Sequence, residues 1–161
     1  MNYRMESTPA MRIIGRSARL PLVHVGPNPA IQAFVAEIPI EETLELKQHN
    51  DVAPHGVLAV CTDFSDDRAE GSTFTYLHGV ATRGPTPDGA DVVDVPALAW
   101  AVFRPADASD EALQELWPQV FVEWLPANEW RLALDLEIVA MQTTHDGSLE
   151  RELWVPVARD T

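Results

Sequence analysis

The chain has 161 residues, 46% of them apolar and 22% charged, a balance suited to a single globular domain and not to a disordered segment. Lys and Arg number 11 against 25 Asp and Glu; the net charge of −14 is repelled by phosphate backbones and anionic membrane surfaces, which excludes direct nucleic-acid binding. One cysteine, Cys61, forbids an internal disulfide, no apolar run spans a bilayer, and the first six residues lack the apolar core of a signal peptide, so a soluble cytoplasmic protein is expected.

In chain order, Thr8-Pro9-Ala10-Met11 leads into a short apolar strand, with the proline at its mouth, where a missing N–H does least harm. Pro29 can start a helix whose face is Ile31, Phe34, Val35 and Ile38. After Pro39, the stretch Glu41 to Glu45 reads either as a further helical turn or as a solvated loop. Residues 56–62 and 72–82 read as a strand pair joined by the polar stretch 65–71, and the Gly-Pro-rich residues 84–89 form a link. Val95-Pro96-Ala97-Leu98 then repeats the opening pattern and leads into the run ending at Phe103.

The clearest helix follows. Ser109 is its N-cap, Asp110 and Glu111 suit its positive end, and Leu113, Leu116, Trp117, Val120, Phe121, Trp124 and Leu125 recur at spacings of three and four. Pro118 predicts a kink inside it, and Pro126 stops it. Residues 132–142 and 149–158 form a second strand pair, turning at Asp146-Gly147. The sum is an α+β fold, two β-α-β-β units with antiparallel sheet.

All five tryptophans, at 100, 117, 124, 130 and 154, fall in the last two-fifths of the chain. Strand alternation puts Leu153, Val155 and Val157 on one face and Glu152 with Trp154 on the other; on the preceding strand it puts Leu134, Leu136 and Ile138 on one face and Asp135, Glu137 and Val139 on the other. If the second face lines a cavity, a carboxylate beside an indole suits a cation or acid–base chemistry. If it faces solvent, these are ordinary strand residues. Trp117 and Trp124 lie on the helix's apolar face and read first as core. The five histidines have no paired metal-ligand spacing, and no metal or cofactor is expected. Cys61, inside the run Val57 to Cys61, reads as an inert buried thiol.

The blocks Gly56 to Phe64, Phe74 to Val80, Val95-Pro96-Ala97, Ala101-Val102-Phe103, Glu123-Trp124-Leu125-Pro126 and Glu152-Leu153-Trp154-Val155-Pro156-Val157 together resemble the GyrI-like small-molecule-binding domain, the effector-binding module of AraC- and MerR-type bacterial transcription activators. The resemblance runs from about Thr8 to Ala158. It implies two repeats (about 8–83 and 92–158) related by a pseudo-two-fold axis, within one domain covering 1–161 and with a pocket between them. It also implies that Glu152 is the acidic residue of the final strand motif, with Trp154 its aromatic partner, Glu137 the acidic position of the preceding strand, and Tyr76, Trp100 and Trp124 commonly aromatic positions. Phe64 joins them as a candidate lining residue. No helix-turn-helix precedes these blocks, so a complete activator is not expected.

The expectation is a binder that senses or sequesters a lipophilic, cationic small molecule, with Glu152, Glu137, Trp154, Trp124, Trp100, Tyr76 and Phe64 as its lining. A hydrolase of cyclopropane-bearing or other reactive compounds is the alternative. Glu152 would be its general acid or base, its pKa raised by an apolar site, with Tyr76 as helper. An acidic gyrase-inhibitor-like interaction protein is a third reading, and a protein partner or a homodimer stays open. Haem carriage is the least favoured, since no histidine is placed convincingly on the pocket strands.

Overall fold

The computed structural model describes residues 2–159. Strands β1 (Tyr3–Thr8) and β2 (Met11–Pro21) are one extended run broken at Pro9-Ala10, while β5 (Asp91–Val95) and β6 (Leu98–Phe103) are another broken at Pro96-Ala97. The two runs pair antiparallel in a shared register, Thr8 opposite Leu98 and Met11 opposite Val95. The two proline-led blocks therefore lie against each other. Strands β3 (Val57–Thr62), β4 (Thr73–Thr82), β8 (Leu136–Thr143) and β9 (Leu149–Arg159) complete the order β1-β6-β9-β8-β3-β4-β2-β5, and the short β7 (Trp130–Leu132) pairs with the end of β9.

That order forces a curled sheet. β1 stands at one end and β2 one place from the other, yet two residues join them, a reach of at most about 11 Å. The face turned inward by the curl carries Met11, Ile13, Leu58, Val60, Leu77, Val95, Trp100, Ile138, Ala140 and Trp154, all buried, with no helix packed on it among the described residues. It is buried because the sheet wraps around it. Gly15 and Gly79, opposite one another on β2 and β4, permit the tight coil: a Cβ on Gly79 would stand 1.9 Å from the Ile14 carbonyl oxygen.

Three α-helices cover the outer face. Helix α1 (Pro29–Ala36) is capped by Asn28, whose Oδ1 accepts from the N–H groups of Ala30 and Ile31. Helix α2 (Ile40–Lys47) resolves the acidic stretch after Pro39 as helix; its Leu46 packs on Ile14 and Val80. Helix α3 (Asp110–Pro118) is capped by Ser109 and passes at Pro118 into a π-helical stretch, Gln119–Trp124. The predicted kink takes this form because proline supplies no N–H to the α ladder; beyond it the Leu125 N–H donates to Val120 O, five residues back. Leu116, Val120 and Trp124 then pack on Ala101, Phe103, Leu153, Val155 and Val157.

The architecture is α+β, as expected, with three differences in detail. β1 and β5 had no counterpart in the predicted elements. The predicted strand 132–142 is two strands, interrupted at residues 133–135, so Leu134 is exposed and does not share the buried face of Leu136 and Ile138. Both faces of the central strands are buried, because one is wrapped by the sheet and the other covered by helices. No helix among the described residues is long and apolar enough to cross a membrane.

Candidate functional site

Strand register decides which of the acidic and aromatic candidates meet. On β8 and β9, Ala140 is opposite Glu152 and Ile138 opposite Trp154, so Glu152 and Trp154 belong to the inner face. Glu137 is one residue out of phase with Ile138 and stands on the outer face. The expected pooling of charge from Glu137 and Glu152 in one pocket is thereby corrected: the sheet lies between them.

Glu152 closes the rim of the inner face. Arg4, reaching across from β1, donates Nη1 to Oε2 (2.6 Å) and Nη2 to Oε1 (3.1 Å); Arg104 donates Nε to Oε2 (3.1 Å), and the Trp154 indole N–H donates to Oε1 (3.2 Å). Burial alone would lift this carboxyl. The Arg4 bonds and charge, helped by Trp154 and Arg104, hold it below the ordinary carboxylate range. The raised pKa expected of Glu152 as a general acid is therefore also corrected, because two guanidinium groups neutralise it. Below it, Trp100 is fully buried, donates its indole N–H to Thr8 Oγ1 (2.8 Å) and meets Trp154 edge-on at 6.0 Å. Trp100 and Trp154 fill the curl. Trp124, on the other face, packs edge-on against Phe103 and Tyr3 beneath the π-helical stretch.

The outer face holds a different constellation. Glu137 on β8 is opposite Cys61 on β3, and Cys61 is opposite Tyr76 on β4, so the three form one row across adjacent strands. Over that row α1 leans in with Phe34, edge-on to Tyr76 at 5.8 Å, and α3 with Trp117, whose indole N–H donates to Glu137 Oε1 (2.9 Å). Arg68, from the loop between β3 and β4, donates Nη1 to Glu137 Oε2 (3.2 Å) and Nη2 to Asp135 (2.6 Å). Its guanidinium lies 3.8 Å from the ring centroid of Phe64, itself stacked on Phe74, and 5.8 Å from that of Phe121. Glu137 is only 6% exposed. Burial drives its carboxyl above the ordinary range, against the opposing pull of Arg68 and the Trp117 bond. Burial also raises the Cys61 thiol, with the Glu137 charge adding to it, and the Tyr76 phenol; both stay protonated near neutrality. Such a row offers one buried carboxylate, a phenolic donor and aromatic walls.

Of the residues expected to line a site, the structure brings Glu137, Tyr76 and Phe64 into this outer-face cluster, and it puts Glu152, Trp154, Trp100 and Trp124 elsewhere. Trp117, Arg68, Phe121, Phe34 and Cys61 belong to the cluster as well. One signal pointed to Arg68: it is the lone cation among Asp63, Asp66, Asp67 and Glu70. Two open depressions, about 320 Å³ beside Gln142–His145 and Glu150 and about 260 Å³ between Gly15–Arg16 and Pro87–Asp91, touch none of the candidate residues.

Among curated proteins none matches the chain. Among solved structures it is similar to SAV2435 bound to tetraphenylphosphonium (17% identity, 98% of this chain and 94% of that one, TM-score 0.74). It is also similar to a Staphylococcus aureus MU50 protein described as a candidate for bacterial transcription regulation (18%, 98% of each chain, 0.71) and to the EcmrR C-terminal domain (12%, 98% of each, 0.63). At such identities these likenesses concern the fold. The family model for the GyrI-like small-molecule-binding domain matches residues 1–158, nearly the whole length, and the chain belongs to that family.

Proposed function

We propose that this domain binds a lipophilic organic cation in the outer-face groove between α1 and α3, with Glu137 as the counter-charge and Trp117, Phe121, Phe64 and Tyr76 as aromatic walls. One observation carries the reading: a carboxylate only 6% exposed, framed by aromatic rings, lies under two helices. A cation excluded from water gains from both the charge and the ring faces. The tetraphenylphosphonium held by the similar SAV2435 is a compound of this class, and the net charge of −14 favours its approach. The same reading takes residues 8–83 and 92–158 as two repeats whose seam is the β3–β8 pair, where Cys61 faces Glu137.

Titration of tetraphenylphosphonium against tryptophan fluorescence tests this, since Trp117 bonds directly to Glu137. Saturable quenching is expected in the wild type, reduced at least about tenfold in affinity by Glu137→Gln and unchanged by Glu152→Gln. Equal loss in both variants, or no binding by the wild type, sinks the assignment. A second reading, hydrolysis of a reactive small molecule, draws on the same raised carboxyl, which can hold a proton for donation beside the Tyr76 phenol. Product formation abolished by Glu137→Gln would favour it; stoichiometric binding without product would not.

A further inference from the structure

The Glu137 cluster already holds a cation, and it belongs to the protein. The Arg68 guanidinium bonds to Glu137 at 3.2 Å, lies over the Phe64 ring at 3.8 Å and stands within 5.8 Å of the Phe121 ring. Carboxylate, ring face and second ring are the three contacts a bound organic cation would make. The segment presenting Arg68 departs from relaxed backbone, because Asp66, Asp67 and Arg68 take φ values of 46°, 49° and 61°, the left-handed region that residues with side chains seldom occupy. Backbone bonds hold its turn, from Arg68 N–H to Ser65 O (3.0 Å) and from Ala69 N–H to Asp66 O (2.9 Å); in addition the Arg68 carbonyl accepts from His24 Nε2 at 2.6 Å, and the Arg68 side chain binds Glu137 and Asp135. Arg68 is thus both the occupant of the site and one of the anchors of its loop.

We propose that Arg68 is a resident surrogate cation that sets the selectivity of the site, so that a ligand binds only by displacing its guanidinium from Glu137 and from the faces of Phe64 and Phe121. The inference rests on the binding reading above. A ligand must then offer more than Arg68 does. A bulky aromatic cation fills the groove and covers several rings, and so repays the displacement, whereas a small hydrophilic ammonium ion only exchanges one charge for another. The site is therefore selective for large aromatic cations over small alkylammonium ions. Apparent affinity is lowered by the fraction of molecules in which Arg68 holds the site.

The test uses tetraphenylphosphonium and tetramethylammonium against the wild type, Arg68→Ala, Arg68→Gln and Arg68→Lys, each checked by thermal melting for a folded state. Removal of the guanidinium in Arg68→Ala and Arg68→Gln should tighten tetraphenylphosphonium binding by about tenfold or more. Tetramethylammonium should bind saturably to Arg68→Ala and not to the wild type, and ethylguanidinium should compete with the phosphonium in Arg68→Ala alone. Arg68→Lys, which keeps charge without the planar stack, should fall between wild type and Arg68→Ala. Unchanged or weaker phosphonium binding in Arg68→Ala and Arg68→Gln, with the wild type still binding, overturns the surrogate role and leaves the Glu137 site standing. Binding by none of the four proteins overturns both.

Discussion

Two glutamates, each 6% exposed, illustrate how partner geometry decides what a buried carboxylate can do. Glu152 receives a two-bond clasp from Arg4 and a further bond from Arg104, so its charged form is favoured. Glu137 has one longer bond from Arg68 and one from Trp117, and burial prevails. Their pH signatures must therefore have opposite signs. With its folded pKa depressed, Glu152 contributes stability that is fully present above about pH 4.3, the ordinary carboxylate value, and is lost as pH falls through the lower folded value. With its folded pKa raised, Glu137 makes the folded state hold an extra proton, so its contribution weakens as pH rises from the ordinary value through the folded one. Urea denaturation from about pH 2 to about pH 8 should show it: Glu152→Gln loses about 1–3 kcal/mol at neutral pH and less in acid. Glu137→Gln gains on the wild type as pH rises.

At the scale of elements, two helices cover the Glu137–Cys61–Tyr76 row, α1 through Phe34 and α3 through Trp117. Helix α1 has no fully buried residue and holds its place through half-buried Ile31, Phe34 and Val35 and through its cap. Asn28→Ala removes that cap and should cost about 1 kcal/mol. Because α1 carries Phe34, the same change should weaken phosphonium binding beyond the loss of stability, read by fluorescence titration well below the melting temperature. Helix α3 owes its register to Pro118. The π-helical stretch beyond it aims Val120 and Trp124 at the sheet, while Trp117, just before it, points at Glu137.

At the scale of the whole molecule, the curl gives the sheet two buried faces with different cover. The inner face, filled by Trp100 and Trp154, is a core without a helix; the outer face carries helices and the candidate site. Trp100→Ala should cost about 3–5 kcal/mol. It should leave the affinity for the phosphonium unchanged in the fraction that stays folded, measured by parallel melting and titration. Coupled loss of both would mean that the two faces are not independent.

The amino-acid sequence by itself determined the element types, most of their bounds and the alternation on β9. Local signals carry these: prolines at strand mouths, the Ser109 cap, the apolar period of α3, the Asp-Gly turn. It also determined that Glu152 and Trp154 share a face, since side chains alternate along any strand. The family resemblance to the GyrI-like domain likewise lies in local blocks that keep their order. Only the tertiary structure decided which face of the sheet each carboxylate takes. Glu137 and Glu152 differ by which side of a shared sheet they occupy, a matter of register between β8 and β9, and no pattern within either strand contains it. Nor could a linear reading know that Arg4, distant in the chain, would neutralise Glu152, or that Arg68, from an acidic loop, would stack on Phe64 above Glu137. A charge acquires its role from what the fold brings within a few ångströms of it, and contacts of that kind come from residues far apart in sequence.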